Sequence, residues 1–200
     1  MIRLARGDRL VIATHNRGKL AEMTALLAPY GIETLSAGAL GLAEPEETAA
    51  DFAGNARLKA VAAARGAALP ALADDSGFGV AALGGAPGVW SARWAGPGRD
   101  FTVAMARVER EIGAAPDRRA WFTSVLCLAL ASGEAACFSG RVDGTVSFPP
   151  RGTHGFGYDP IFVPQGDRRT FAEMPPEAKE AISHRTQAFR AFAAACLSLP

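Results

Sequence analysis

The chain has 200 residues and a formal net charge of +1, and 49% of its residues are hydrophobic. This length predicts one domain over residues 1–200, which buries roughly 70% of the surface that the unfolded chain exposes. The near-neutral charge argues against a nucleic-acid partner, because proteins that coat nucleic acid are strongly basic. No apolar run is long enough to span a bilayer, and the first ten residues lack the apolar segment of a signal peptide. We therefore expect no membrane partner.

The cysteines and histidines also narrow the class of protein. Cys127, Cys137 and Cys196 are odd in number and have no CxxC spacing. This usage indicates reduced thiols in a cytoplasmic protein rather than a disulfide framework. The three histidines are too scattered along the sequence to indicate a zinc site.

Lysine and asparagine are rare in this chain. Only three of its 21 basic residues are lysines, namely Lys19, Lys59 and Lys179, and its two asparagines are Asn16 and Asn55. Because arginine supplies nearly all other positive charge, a retained lysine indicates a need for a compact ammonium group, which suits phosphate oxygens.

Hydrophobic periodicity predicts alternating strands and helices in the first part of the chain. The predicted elements are a strand at 9–14, a helix at 17–28, a strand at 33–36, a helix at 51–65 and a strand at 69–73. We expect this last strand to end on Asp74 and Asp75, with Ser76 and Gly77 turning the chain toward the glycine-rich loop 84–88.

The second part of the chain follows a different pattern. The predicted elements are a helix at 100–112, an antiparallel hairpin of 121–131 and 134–142, a short strand at 161–163 and a closing helix at 185–197. Helices and strands that alternate first and then give way to a hairpin predict an α/β fold with a mixed sheet.

Asp74 and Asp75 are the first candidate functional residues. Carboxylates at the end of a strand, beside glycine-rich backbone, commonly hold Mg²⁺ near a phosphate. Alternatively, Asp74 caps the next element and Asp75 forms a turn. Glu46 and Glu47 either face solvent or supply, with Asp75, the few carboxylates that Mg²⁺ needs.

Asn55 and Lys59 form a second candidate pair. They lie four residues apart on a predicted helix and therefore share one face. That face either points toward the same site as the carboxylates or lies at the surface.

The segment from Thr14 to Lys19 links the first strand to the first helix. Free N–H groups at a helix start favour a bound phosphate, and Lys19 could neutralise it. The segment lacks the glycine and hydroxyl residues of a Walker A loop, because Ala13 and Leu20 stand at those positions. The alternative is an ordinary capped helix start.

Residues 155–160 combine flexible backbone, two aromatic rings and a carboxylate. An aromatic ring between glycines can stack on a purine, a contact worth about 1–3 kcal/mol per base. The alternative is a buried aromatic residue in a tight turn. Lys179, His184 and Arg185 either donate hydrogen bonds to a purine carbonyl or lie at the surface.

Taken in order, these segments resemble the inosine/xanthosine triphosphate pyrophosphatase family. The matching motifs are T-x-N-x-G-K at 14–19, E-E-T at 46–48, N-A-x-L-K-A at 55–60, A-D-D-S-G at 73–77, L-G-G-A-P-G at 83–88, S-A-R at 91–93, F-G-Y-D-P at 156–160 and A-I-S-H-R at 181–185. The chain departs from the family at Gly54, where relatives commonly have Glu, and at His15, where relatives often have Gly.

The resemblance implies a Maf/ITPase-like α/β homodimer with an elongated mixed sheet flanked by helices, and two lobes with a central cleft. It implies Mg²⁺-dependent hydrolysis of ITP, dITP and XTP to the monophosphate and pyrophosphate. Asp75 would be the general base and a metal ligand, with Glu46 or Glu47 as its partner. The residues implied to bind phosphates are Thr14, His15, Asn16, Arg17, Gly18, Lys19 and Ser76. Those implied to bind the base and sugar are Phe156, Gly157, Tyr158, Asp159, Lys179, His184 and Arg185.

Two other functions remain open from the sequence. One keeps the fold but acts on modified pyrimidine triphosphates, and the other binds nucleotides without turnover. Hydrogen-bond donors aimed at O6 of the purine would reject adenine, which carries an amino group there.

Overall fold

The computed structural model describes residues 2–198, except for the side chain of Arg17. The strands of the described residues are β1 (Arg9–Ile12), β2 (Glu33–Ser36), β3 (Ala71–Val80), β4 (Pro87–Gly88), β5 (Arg119–Ala129), β6 (Ala135–Val146) and β7 (Phe162–Pro164). The α-helices are α1 (Arg17–Leu27), α2 (Phe52–Ala67), α3 (Phe101–Ile112), α4 (Pro176–Ile182) and α5 (His184–Cys196).

The strands form one seven-stranded mixed sheet. Its order is β2-β1-β3-β5-β6-β7, and β4 pairs with β3. β1 runs parallel to both β2 and β3, with Val11 opposite Leu35 and Ala71. β4 and β7 run antiparallel to β3 and β6. This open α/β sheet confirms the predicted fold class.

The chain forms two compact units. The first comprises the residues up to 75, residues 125–139 and the residues from 188 onward, and the second comprises residues 76–124 and 140–187. In the first unit, α2 buries a row of alanines, which allows its backbone to approach the sheet closely. The core of the second unit is rich in aromatic side chains, including Phe78, Phe122 and Phe162.

The prediction that the third strand ends at the two aspartates was wrong. β3 continues through Ser76 and Gly77 to Val80. Phe78 pairs with Gly88 of β4, and Phe78 and Val80 are fully buried. Pairing and burial beyond the aspartates therefore overcome the local turn preference of Ser-Gly. As a result, Asp74 and Asp75 lie in the middle of a strand.

Most other predicted elements were confirmed with small changes at their ends. α1, β2, α2 and α3 lie where the periodicity placed them, and β5 and β6 form the predicted hairpin. The helix α4 was missed, because it has only seven residues and begins with a proline. No helix within residues 2–198 is long and apolar enough to cross a membrane.

Candidate active site

The first set of site residues surrounds the Lys59 ammonium group. Lys59 Nζ lies 2.9 Å from Glu47 Oε1 and 3.4 Å from Asp75 Oδ1. Asn55, one turn earlier on α2, accepts a hydrogen bond from Ala49 N through Oδ1 (2.9 Å), which fixes the loop that carries Glu47. We call Glu47, Asn55, Lys59 and Asp75 the acidic group.

Burial and charge set the ionisation of the acidic group. Burial lowers the pKa of Lys59, but the carboxylates of Asp75, Glu47 and Asp74 outweigh it, and the pKa is raised. Burial also raises the pKa of Asp75, which the Lys59 ammonium and hydrogen bonds from Asn55 and Lys59 only partly oppose. Lys59 therefore stays charged, while Asp75 is more basic than an exposed aspartate and a better proton acceptor.

One carboxylate oxygen of Asp75 is buried without a hydrogen-bond partner of good geometry among the residues that the structure describes. Its Oδ2 accepts no hydrogen bond of good geometry from the described residues, and such atoms in a protein interior usually have a partner. Mg²⁺ uses one or two carboxylates and completes its shell with water and substrate phosphates. Residues 2–198 contain no cluster of three or more acidic, histidine or cysteine ligands. Asp75 and Glu47 therefore fit a cation that substrate and water help to hold.

Asp74 lies on the opposite face of β3 from Asp75, because successive side chains alternate along a strand. Its Oδ2 accepts a hydrogen bond from Lys19 Nζ (2.5 Å), and the side chains are 15% and 30% exposed. Neighbouring aspartates thus hold two different lysines. Sequence reasoning missed this role of Asp74, although a strand extended to Val80 would have placed Asp74 and Asp75 on opposite faces.

The start of α1 is a capped helix N-terminus. Asn16 Oδ1 accepts hydrogen bonds from Gly18 N (2.9 Å) and Lys19 N (3.3 Å). Thr14 Oγ1 accepts one from Asn16 N (3.2 Å). The capped start that the sequence left open is therefore present, and a phosphate would meet amides already used by Asn16. The side chain of Arg17 lies outside the described part of the chain.

Glu46 and Glu47, the two glutamates of one loop that were predicted as metal ligands, lie in different surroundings. Glu47 reaches Lys59, as described above, whereas Glu46 is exposed. His15 lies near the same loop, with Nε2 3.0 Å from Leu42 O and Nδ1 3.5 Å from Glu44 Oε2. Of the two glutamates, the structure brings Glu47 to Asp75.

A second set of site residues lies in the second unit around Asp159. This buried carboxylate accepts hydrogen bonds from the backbone N–H of Phe156 (2.8 Å) and from the Lys179 ammonium. Burial raises the pKa of Asp159, and Lys179 opposes the shift. Gly155 is required here, because a Cβ at this position would lie 2.1 Å from Asp159 Oδ2.

Phe156 presents an exposed aromatic face between two cations. Its ring is 60% exposed, with Lys179 Nζ 5.2 Å and Arg185 Cζ 4.9 Å from its centroid. His184 is buried and stacks on Phe122, with centroids 5.0 Å apart. We call Phe156, Asp159, Lys179, His184 and Arg185 the aromatic group. No sequence signal pointed to Phe122.

Three further predicted site residues, Tyr158, Gly157 and Ser76, lie in the second unit. Tyr158 is buried, stacks on Phe78 and donates a hydrogen bond from its hydroxyl to Ser91 O (2.9 Å). Its side chain therefore belongs to the core, as the alternative interpretation held. Its neighbour Gly157 has a left-handed φ of +71°, and Ser76 is half-buried in β3.

The protein is of the open, mixed α/β class. Its central strand β3 carries two consecutive aspartates, and each of them forms an ion pair with a lysine. The chain belongs to the Ham1 family, whose sequence profile matches residues 10–195. This membership confirms the family that the motifs predicted.

Several relatives carry the same name. The dITP/XTP pyrophosphatase of Gluconobacter oxydans is 56% identical over 98% of this chain and 95% of its own length. That of Rhodopseudomonas palustris is 58% identical over 95% of this chain and 96% of its own length.

Solved structures show the same fold. The Ham1 protein of Staphylococcus aureus has a TM-score of 0.87 and 34% identity, and the match covers 93% of this chain and 96% of that one. A dITP/XTP pyrophosphatase of Mycobacterium abscessus has a TM-score of 0.80 and 41% identity, over 94% of this chain and 98% of that one.

Proposed function

We propose that the chain hydrolyses dITP, XTP and ITP to the nucleoside monophosphate and pyrophosphate, and so removes deaminated purines from the nucleotide pool. The observation that carries the proposal is the buried Asp75, with its raised pKa and its unmatched Oδ2, beside the Lys59 ammonium. The shared name of the relatives supports this substrate class.

In the proposed reaction, Asp75 accepts a proton from the attacking water while the water oxygen forms its bond to phosphorus. The bond between the α and β phosphates then breaks, and pyrophosphate leaves. Lys59 holds the Asp75 carboxylate in place, and Lys19, held by Asp74, offers its ammonium group to the phosphate oxygens. Each lysine thus keeps a fixed position before substrate arrives.

We propose that the reaction requires Mg²⁺, held by Asp75 and Glu47. When bound, the ion stabilises charge on the phosphoryl oxygens and lowers the pKa of water. The unmatched Oδ2 of Asp75 supports this assignment. Addition of EDTA should abolish turnover and Mg²⁺ should restore it, while activity that survives complete chelation would contradict the requirement.

The aromatic group is proposed to bind the base. Phe156 offers an exposed aromatic ring, and the cations of Lys179 and Arg185 lie over that ring. Their N–H groups can donate to the O6 carbonyl of hypoxanthine or xanthine. Adenine would leave these donors unpaired, a defect that reduces kcat/KM strongly.

A comparison of substrates tests this assignment. The values of kcat/KM for dITP, XTP and ITP should exceed that for ATP by at least about 100-fold. A preference for a modified pyrimidine triphosphate would instead favour the second enzymatic function. Tight binding of dITP without product would favour a nucleotide-binding protein.

We also propose that the chain acts as a homodimer in the cytoplasm. The odd number of cysteines and their lack of CxxC spacing favour that compartment. The large apolar side chains of Trp90 and Val103 are 54% and 56% exposed, and a second subunit would cover such surface. Light scattering should give twice the 20.8 kDa mass of one chain, and a monomer at micromolar concentration would contradict the dimer.

A further inference from the structure

Two of the three cysteines face each other across the hairpin of β5 and β6. Leu130 N donates a hydrogen bond to Glu134 O (2.9 Å), and counting along both strands from this pair places Cys127 opposite Cys137. Their sulfur atoms lie 2.6 Å apart, and both are free thiols. Because hydrogen-bonded and non-hydrogen-bonded pairs alternate along an antiparallel ladder, three steps from Leu130 give a non-hydrogen-bonded position.

This position has the backbone spacing that a disulfide needs. Opposite Cα atoms of a non-hydrogen-bonded pair lie about 4.5 Å apart, and disulfides join Cα atoms that are roughly 4.4–6.8 Å apart. Cys127 and Cys137 can therefore be bonded with little movement of the strands.

The two thiols differ in access and acidity. Cys137 is exposed and Cys127 is buried. The hydrogen bond between the two sulfur atoms lowers the pKa of Cys137, and the positive charge of Arg57 lowers it further, against burial and Asp51. The same hydrogen bond and burial raise the pKa of Cys127. Cys137 is thus the accessible nucleophile, and Cys127 is placed to attack it in a second step.

We propose that Cys127 and Cys137 form a redox modification site that low-molecular-weight disulfides such as oxidised glutathione convert to an intramolecular disulfide. The Cys137 thiolate attacks one glutathione sulfur, and the first glutathione leaves as a thiolate. Cys127 then attacks the Cys137 sulfur and expels the second. Two cysteines lose two electrons, oxidised glutathione becomes two glutathione thiols, and the cysteine protons end on those thiols.

The pair lies against the helix that carries Lys59. Cys137 Sγ is 3.9 Å from Ala53 O in the first turn of α2, and Cys127 packs in the same hydrophobic cluster as Ala56 and Ala60. Cys196 is 1% exposed and packs in a different cluster, with residues of α5. We therefore expect Cys196 to remain a thiol.

Peptide mapping of the full chain tests the proposal. The purified protein is incubated with oxidised glutathione, denatured, alkylated and cleaved after arginine. Residues 120–141 form one peptide that holds both Cys127 and Cys137, and Cys196 lies on the peptide after Arg190. We expect the first peptide to lose two hydrogens and escape alkylation, and the second to be alkylated, with dithiothreitol reversing the change. Alkylation of both cysteines in the first peptide, or a bridge to Cys196, would overturn the proposal.

Single substitutions separate the two steps. Cys127→Ser should stop at a stable glutathione adduct on Cys137, whereas Cys137→Ser should leave Cys127 unmodified. Cys196→Ser is the matched control, and in this variant Cys127 and Cys137 should still form the disulfide. A glutathione adduct that persists on Cys137 in the unsubstituted chain would also contradict the proposal. None of these readouts depends on nucleotide hydrolysis.

Discussion

The buried carboxylate of Asp75 lowers the free energy of unfolding when it is ionised. Burial raises its pKa more than the Lys59 ammonium lowers it, so the folded chain holds the ionised form less readily than the unfolded chain does. An acid with a raised pKa in the folded state reduces stability once pH exceeds that pKa. At a pH below 3.8, the usual pKa of aspartate, Asp75 is protonated in both the folded and the unfolded state, and the cost in stability disappears.

We predict that Asp75→Asn stabilises the metal-free chain and inactivates it. Removal of the buried charge should raise the unfolding temperature near pH 7 by about 2 °C, whereas loss of the general base should reduce kcat by about 10³-fold. Calorimetry in EDTA and initial rates with dITP and Mg²⁺ measure the two effects.

Asp143→Asn serves as the control for Asp75→Asn. Asp143 lies on β6 with its side chain 56% exposed, in an ion pair with Arg141. Exposed pairs of this kind contribute little to stability, so neither property should change. Near-normal turnover in Asp75→Asn would remove Asp75 from the mechanism.

Lys179 compensates a carboxylate that is only 3% exposed. We predict that Lys179→Met lowers the free energy of unfolding by about 3 kcal/mol near pH 7, because Asp159 loses the closer of two facing cations and keeps Arg185. The substitution raises the pKa of Asp159 further. The loss in free energy of unfolding should therefore become smaller as the pH falls through the pKa of Asp159, since a protonated carboxyl group is neutral and is not stabilised by the ammonium charge.

Urea denaturation near pH 7 and near pH 4 measures the effect of Lys179→Met. Arg169→Met is the control, because Arg169 pairs with Asp167 while its own side chain is 51% exposed. An equal loss at both pH values would show that the contribution of Lys179 does not depend on the charge of Asp159.

At the scale of elements, the first turn of α1 combines a structural and a proposed functional role. Asn16 caps the helix, and its amide partners are those proposed to meet phosphate. We predict that Asn16→Ala costs about 1 kcal/mol of stability. Asn16→Asp should keep the cap, since aspartate is an equally good N-cap, but raise KM for dITP because its charge repels the triphosphate.

Thermal unfolding and KM together decide the role of Asn16. A helix cap with no part in binding would leave the KM of Asn16→Asp at its original value. A rise in KM without a loss of stability would instead place the phosphates at this turn.

The sequence could predict elements that are long and that are specified by residues within the element itself. α1 was predicted because apolar residues recur at helical spacing. α2 and α3 were predicted to begin near Asp51 and Asp100, and in the structure these two residues are their N-caps. β3 could be predicted only in part. Its second half is held by pairing with β4 and by burial of Phe78, which depend on residues distant in the chain.

The same limit applies to the candidate site. Rarity singled out Asn55 and Lys59. Position along the chain singled out Glu47 and Asp75, but the contacts among these four residues were not predicted. Alternation of side chains along β3 places Asp74 and Asp75 on opposite faces. Which lysine each aspartate meets, Lys19 or Lys59, depends on the positions of α1 and α2. The stacking of His184 on Phe122 joins two segments that share no sequence pattern.

At the scale of the molecule, each compact unit is built from separate stretches of chain. The chain passes from one unit to the other at 75–76, 124–125, 139–140 and 187–188. Because neither unit is one continuous segment, we predict a single cooperative unfolding transition.

Two probes test this cooperativity. Trp90, Trp94 and Trp121 all belong to the second unit, so tryptophan fluorescence reports on that unit. Helical circular dichroism also reports on α1 and α2 of the first unit. The two urea transitions should coincide, and separate midpoints would show units that unfold independently.

The products of dITP hydrolysis test the central claim most directly. The purified chain is incubated with dITP and Mg²⁺, and the nucleotide and phosphate products are resolved by anion-exchange chromatography at early times. The proposed cleavage between the α and β phosphates predicts dIMP and pyrophosphate in equal amounts, both formed about 10³-fold more slowly by Asp75→Asn. Formation of dIDP and orthophosphate as the first products would contradict it.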